Sequence, residues 1–128
     1  MNSKEYANKN QSVRLSAPEI AVVLERRYEI ENLAGGAAYL PLYRAICGVM
    51  SKVFVIHPDC IMKIKDEKIS ALDVQAVYRN LTGTHIEWVA EKYKSRTERI
   101  ENFTQWMRTT LYFSPEDMEL DYINELGC

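Results

Sequence analysis

With 128 residues, the chain has the length of one domain, and its 47% hydrophobic content is enough to bury a core without disulfides or metals. A formal net charge of −2 excludes a general nucleic-acid coat protein, because such domains are strongly basic, although a local basic surface is not excluded. Cys47, Cys60 and Cys128 are odd in number and widely spaced, which favours a reducing cytoplasm over a disulfide framework. No signal peptide or membrane span is predicted.

The chain begins with polar residues and continues as a mainly helical domain. Residues 1–16 are mildly basic, and we predict a flexible arm or linker there, followed by a single helical domain over residues 17–128. Because proline is tolerated in the first turn, a first helix is expected to begin around Pro18. The Gly35-Gly36 pair is expected to end it.

A second helix and a short extended segment are predicted next. The apolar spacing predicts a helix over residues 37–52, with Pro41 close enough to its start to be accepted. Val53–Ile56 is β-branched and aromatic, and the IMKIK sequence from Ile61 alternates in steps of two, as strands do. The HPD sequence between them is typical of a turn, so we predict a hairpin or an extended crossing.

Three amphipathic helices are predicted after this segment, which gives a bundle of about five. Each is expected to begin at a hydroxyl side chain that caps it, and the three caps are Ser70, Thr82 and Thr97. The last helix is expected over residues 98–113, with Pro115 ending it. The inward side chains of the first two are predicted to be Val74, Val77, Tyr78, Leu81, Ile86, Val89, Ala90 and Tyr93.

The sequence offers little for catalysis, cofactors or metals. His57 and Cys60 form an H-x-x-C pair, but a structural zinc needs four ligands and no second pair is present. A cysteine–histidine nucleophile pair has no third group to orient the histidine. The Gly35-Gly36 pair is not followed by the Lys-Ser/Thr of a phosphate-binding loop. We therefore predict no enzyme activity, no cofactor and no metal.

A basic group beside aromatic residues is the main candidate site. Lys92, Lys94, Arg96 and Arg99 surround the turn before the last long helix, whose free backbone N–H groups would favour phosphate. The alternative is a solvated face of ion pairs, because glutamates are interleaved with these bases. Trp106 is expected in the core or, where exposed, as an anchor for a partner.

The C-terminal segment is acidic. Five carboxylates without a base follow Pro115, namely Glu116, Asp117, Glu119, Asp121 and Glu125. Such a segment usually serves as a solvated tail, and it is alternatively a docking surface for a basic partner. A last short helix is expected within it.

The segments VQAVYRNL, THIEWV and IENFTQWMRTTLYFSP resemble the C-terminal helical domain of RepA-type replication initiators from Gram-positive plasmids and integrative elements. The resemblance extends from about Gly35 to Pro115. It depends on a combination of mostly apolar positions, which are Leu81, His85, Ile86, Val89, Ile100, Asn102, Met107, Leu111, Tyr112 and Pro115. Glu101, Thr104 and Phe113 depart from the pattern at positions that tend to be basic or Asn, which favours protein contact over DNA contact.

The resemblance implies a role in starting the replication of a mobile element. Such domains are similar to DnaD/DnaB-type primosomal modules and are thought to recruit a host helicase loader or primase. The first hypothesis is therefore a non-enzymatic adaptor whose contacts are Arg96, Arg99 and Trp106. The alternatives are low-specificity DNA binding through the same basic turn and homodimerisation through an exposed apolar helix face.

Overall fold

A computed structural model of the chain describes residues 14–127, which form six helices and one two-stranded antiparallel hairpin. In chain order the elements are α1 (Ala17–Arg27), α2 (Ile30–Ala34), α3 (Leu40–Phe54), β1 (Ile61–Ile64), β2 (Glu67–Ser70), α4 (Ala71–Arg79), α5 (Gly83–Ser95) and α6 (Phe103–Gly127). The predicted fold class, mainly helical with a short hairpin, is confirmed. Most of the predicted arm over residues 1–16 lies outside the described residues.

The predicted first helix is two helices. Its start is as expected, because Ser16 and Glu19 form a reciprocal capping box. The helix then breaks at Glu29, whose φ of +49° is left-handed. Tyr28 and Ile30 are both buried, although a continuous helix would point them about 200° apart. The break therefore allows both side chains to enter the same core, and α2 then ends at Gly35 (φ +67°) as predicted.

The predicted strand over Val53–Ile56 is wrong, because α3 continues through Phe54. Val53 is fully buried and extends the apolar face of Ile46, Val49 and Met50 at helical spacing. The HPD turn does form, with the Cys60 N–H donating to the His57 carbonyl at 2.9 Å, but it joins α3 to β1. Burial of the helical face therefore outweighs the strand propensity of the β-branched residues in this segment.

The hairpin pairs β1 with β2 in antiparallel register. Met62 and Ile64 are buried, so this face packs on the core. Lys63 lies directly opposite Lys68 on the outward face, where two like charges repel. The turn contains Lys65, whose φ of +57° is left-handed. The hairpin therefore presents a cluster of lysines outward without pairing them across the strands.

The starts of α4 and α5 agree with the predicted caps. The Ser70 hydroxyl accepts the Asp73 N–H at 3.2 Å, and Thr82 caps α5 together with His85. Of the eight predicted inward side chains of these helices, Val77 and Tyr93 are half-buried and the other six are buried. The periodicity of the sequence therefore located the packed faces of both helices.

The predicted bounds of the last helix are wrong at both ends. Thr97 is not its cap; α6 begins at Phe103, and the Asn102 side chain accepts the Gln105 N–H at 3.0 Å. The helix also continues past Pro115 to Gly127, so the acidic segment is part of α6. Proline has no N–H for the carbonyl four residues earlier, at Leu111. The Ser114 hydroxyl donates to that carbonyl at 2.8 Å and so supplies the hydrogen bond that proline cannot make.

One hydrophobic cluster joins the helices and the hairpin. Met107 and Leu111 of α6 are fully buried in it, together with Ile46 and Met50 of α3. Cys47 is also buried here, and burial, with a smaller contribution from Glu25, raises the pKa of its thiol to about 12. Of the helices in the described part of the chain, none is long and apolar enough to span a membrane.

Candidate partner-binding surface

The four predicted basic residues do not form one set, because the two lysines are already paired. Lys92 Nζ lies 3.0 Å from the Asp121 carboxylate of α6. Lys94 Nζ lies 2.6 Å from the Glu91 carboxylate, one turn earlier in α5. Both pairs involve mostly exposed groups and add little stability. The predicted alternative of an ion-paired face therefore describes these two lysines.

The two arginines occupy the loop that precedes α6. The Arg96 guanidinium lies over the Tyr93 ring, 3.8 Å from its centroid. Within residues 14–127, neither Arg96 nor Arg99 forms an ion pair, although Glu98 and Glu101 lie in the same loop. Because α6 begins only at Phe103, Arg96 lies in the turn as predicted, but Arg99 lies in the same loop and not at the start of the helix.

Trp106 is half-buried at the edge of an aromatic cluster. Tyr93 contacts both Trp106 and Phe103 edge-on, with centroid distances of 6.0 and 5.5 Å. Part of the indole therefore belongs to the packing between α5 and α6, and part is available to a ligand. The Trp106 side chain separates two shallow depressions. One is formed by the loop with Arg96 and Arg99, and the other is formed by the hairpin and the first turns of α6.

The hairpin lysines are also part of this site, which the sequence did not predict. The Gln105 side chain donates to the Lys63 carbonyl at 2.7 Å and so ties β1 to the first turn of α6. The second depression is lined by Lys63, Lys65, Gln105, Trp106, Thr109 and Thr110, with no carboxylate among them. We call the two depressions and the indole between them the Trp106 surface. In the sequence, only Lys63, Lys65 and Lys68 could have indicated the hairpin part of this surface.

The residues of the family pattern have structural positions. His85 Nδ1 accepts the Thr82 N–H at 3.0 Å, and Asn102 caps α6, so both hold helix starts. Ile86 and Leu111 are buried in the core, Tyr112 packs edge-on against Phe113, and Pro115 lies within α6. The pattern therefore describes the scaffold more than a contact surface.

The cap made by His85 predicts a pH-dependent stability. Burial lowers the pKa of His85, so the folded protein binds this proton less readily than the unfolded chain. The stabilisation by neutral His85 is complete above about 6.5, the pKa of a histidine in the unfolded chain. It is lost as the pH falls from there toward the lower pKa of His85 in the folded protein. We expect the free energy of unfolding in urea to fall between about pH 7.5 and about pH 5.5, and to fall less in His85→Gln, which keeps an acceptor. Equal losses in both proteins would contradict this role.

Groups suited to catalysis are dispersed. Within the described residues 14–127, no three His, Cys, Asp or Glu side chains are close enough to share a metal ion. His57 and Cys60 lie in an exposed turn, where the imidazole accepts the Asp59 N–H. The buried Cys47 thiol is kept protonated. The two shallow depressions and the indole of the Trp106 surface are instead suited to binding a partner molecule.

Comparison of the chain with protein-family models, with curated proteins and with solved structures finds no match.

Proposed function

We propose that this chain is a non-enzymatic module in the initiation of replication of a plasmid or another mobile element, and that it recruits a host helicase loader or primase. The replication context comes from the resemblance of α4, α5 and the first half of α6 to RepA-type initiators. Most apolar positions of that resemblance, including Leu81, Val89 and Met107, are buried, whereas Ile100 and Tyr112 are half-buried. The choice of a partner therefore depends on exposed residues outside this pattern.

The observation that best supports recruitment is the Trp106 surface. A half-buried indole flanked by arginine and lysine side chains has the composition of an interface anchor, since tryptophan and arginine dominate binding energy at protein contacts. Glu98 and Glu101 line the same depression as Arg99, but Arg99 forms no ion pair with any other described residue, so a partner carboxylate would meet a guanidinium without an ion-pair partner. The partner segment that fits is acidic, with an apolar side chain for the indole.

Charge reversal tests this proposal. Arg96→Glu with Arg99→Glu should weaken the capture of purified host helicase loader or primase by about tenfold, because two favourable charges become repulsive. The measurement is biolayer interferometry with the immobilised chain, and circular dichroism should show an unchanged fold. Arg26→Glu with Lys52→Glu is the matched control, because it makes the same charge change on the exposed faces of α1 and α3. Capture that survives the first double change would rule out this surface.

A second candidate function is low-specificity binding of single-stranded DNA, favoured by the hairpin side of the Trp106 surface. Lys63 and Lys65 line a depression with Trp106 and without carboxylates. The repulsion between Lys63 and Lys68 would be relieved by a phosphate between them. Bases stack on an exposed aromatic ring at about 1–3 kcal/mol each, whatever their sequence.

Fluorescence anisotropy of labelled single- and double-stranded DNA, from low to physiological salt, separates the two candidates. DNA binding should fall steeply with salt, because each neutralised phosphate releases counterions. Lys63→Glu with Lys65→Glu should then lower the salt slope by about two. The first of these changes places a carboxylate opposite Lys68, and this opposite-charge pair keeps the hairpin intact. An absence of binding at low salt would exclude the DNA candidate and leave protein recruitment.

A further inference from the structure

A different surface lies at the other end of α6. Its last turns pack against α5 and leave a groove between the two helices. The apolar side chains of this groove are Trp88 of α5 with Met118 and Tyr122 of α6, and Tyr122 is 61% exposed. The carboxylates around it are Glu87, Glu91, Glu119, Asp121 and Glu125. We call this the α5–α6 groove.

The bases beside the groove neutralise only part of this charge. Lys92 pairs with Asp121, and Lys94 pairs with Glu91. Within the described part of the chain, Glu87, Glu119 and Glu125 form no ion pair. The apolar side chains therefore lie in a strongly negative field.

Asp121 joins the two walls of the groove. Its Oδ2 accepts both the Trp88 indole N–H at 3.1 Å and the Lys92 ammonium at 3.0 Å. The Lys92 hydrogen bond lowers the pKa of Asp121 most, with a further lowering from the Trp88 bond. The carboxylate thus stays ionised and ties the indole to α6, so the groove exists before any ligand arrives.

We propose that the α5–α6 groove binds a basic amphipathic helical segment of a protein partner. The lining residues recur every three or four positions, such as Trp88 and Glu91 on α5 and Met118 and Tyr122 on α6, so each wall is one helix face about two turns long. A helix with apolar side chains at the same spacing fits between such walls. Lysine or arginine beside those side chains would meet the three unpaired glutamates.

The charge of the groove disfavours nucleic acids and neutral apolar ligands. Phosphates of a nucleic acid would be repelled by the five carboxylates, and a neutral apolar ligand would gain nothing from them. The groove is separate from the Trp106 surface and is not used in the proposed function. One molecule could therefore hold the basic segment while its Trp106 surface is occupied.

A synthetic helix provides the test. The probe is a capped peptide of about 14 residues, with leucines along one face and lysines elsewhere, and its twin has glutamate in place of lysine. In the Trp106→Phe protein, Trp88 is the only remaining tryptophan, so its emission reports events in the groove. We expect the lysine peptide to shift the Trp88 emission at low salt and the glutamate peptide to leave it unchanged.

Matched variants test whether the lysine peptide binds in the groove itself. Neutralising Glu87, Glu119 and Glu125 to glutamine should weaken the lysine peptide about tenfold. Neutralising Glu67, Glu98 and Glu101, which are also exposed but lie in β2 and in the loop before α6, should leave the affinity unchanged. Equal weakening by both triple variants, or an unshifted Trp88 emission, would overturn the proposal. Self-association of the wild-type chain in sedimentation that is lost only in the groove variant would also overturn it, since a second copy would then be the occupant.

Discussion

Replacing Leu111 with alanine should lower the free energy of unfolding by about 2–5 kcal/mol. The side chain is fully buried in the first half of α6, where this helix crosses the core that α3, α4 and α5 share. Removing it loses the transfer free energy of the buried methyl groups and leaves a cavity that rigid helices fill only in part. The measurement is urea denaturation followed by circular dichroism.

Leu120→Ala is the control within the same helix. Leu120 is 51% exposed, so the same chemical change there should alter the free energy of unfolding by no more than about 0.5 kcal/mol. A similar loss from both substitutions would mean that the two halves of α6 are equally packed. A small loss from both would mean that α6 is not part of the cooperative core.

The parts of the fold that the sequence predicted are those specified by neighbouring residues. The caps at Ser70 and Thr82 act within one helical turn, and the apolar positions of α4 and α5 recur at helical spacing. Local signals of this kind are present in any short window of the sequence. They were sufficient for the fold class and for two of the three long C-terminal helices.

The prediction errors arose where particular side-chain contacts, which composition and periodicity do not specify, accompany the structure. Pro115 is an end signal by itself, but α6 continues through it, and the hydroxyl of the buried Ser114 donates to the Leu111 carbonyl that proline leaves without an N–H. Thr97 has a capping side chain, but Asn102 caps the helix, and Phe103 and Trp106 of its first turn pack edge-on against Tyr93. The start of this helix therefore coincides with the aromatic packing rather than with the first available cap.

The candidate site was predicted in part for the same reason. Arg96, Arg99 and Trp106 are near one another in sequence, and the structure places them around neighbouring depressions. Lys63 and Lys65 are about 40 residues away from Trp106, and they are brought there by the burial of Met62 and Ile64 in the core and by a hydrogen bond from Gln105. A pairing across such a distance depends on the path of the whole chain, which composition and periodicity do not specify.

Gln75→Met should lower the free energy of unfolding by about 1–3 kcal/mol, although it keeps the length of the side chain. The buried Gln75 amide donates to the Ile56 carbonyl at 2.8 Å and to the Val53 carbonyl at 3.0 Å, and so holds the end of α3. The Val53 oxygen still receives the Ile56 N–H after the change, so most of the loss comes from the Ile56 carbonyl.

Gln105→Met is the matched control for this substitution, because its amide also donates to one distant carbonyl, that of Lys63, but at an exposed site. Water replaces that bond, so the expected loss is below about 1 kcal/mol. Both losses are measured by urea denaturation. If Gln75→Met is as mild as its control, the end of α3 is held by burial of Val53 alone. A large difference means instead that a buried amide from α4 fixes where α3 ends, in a segment whose composition favours a strand.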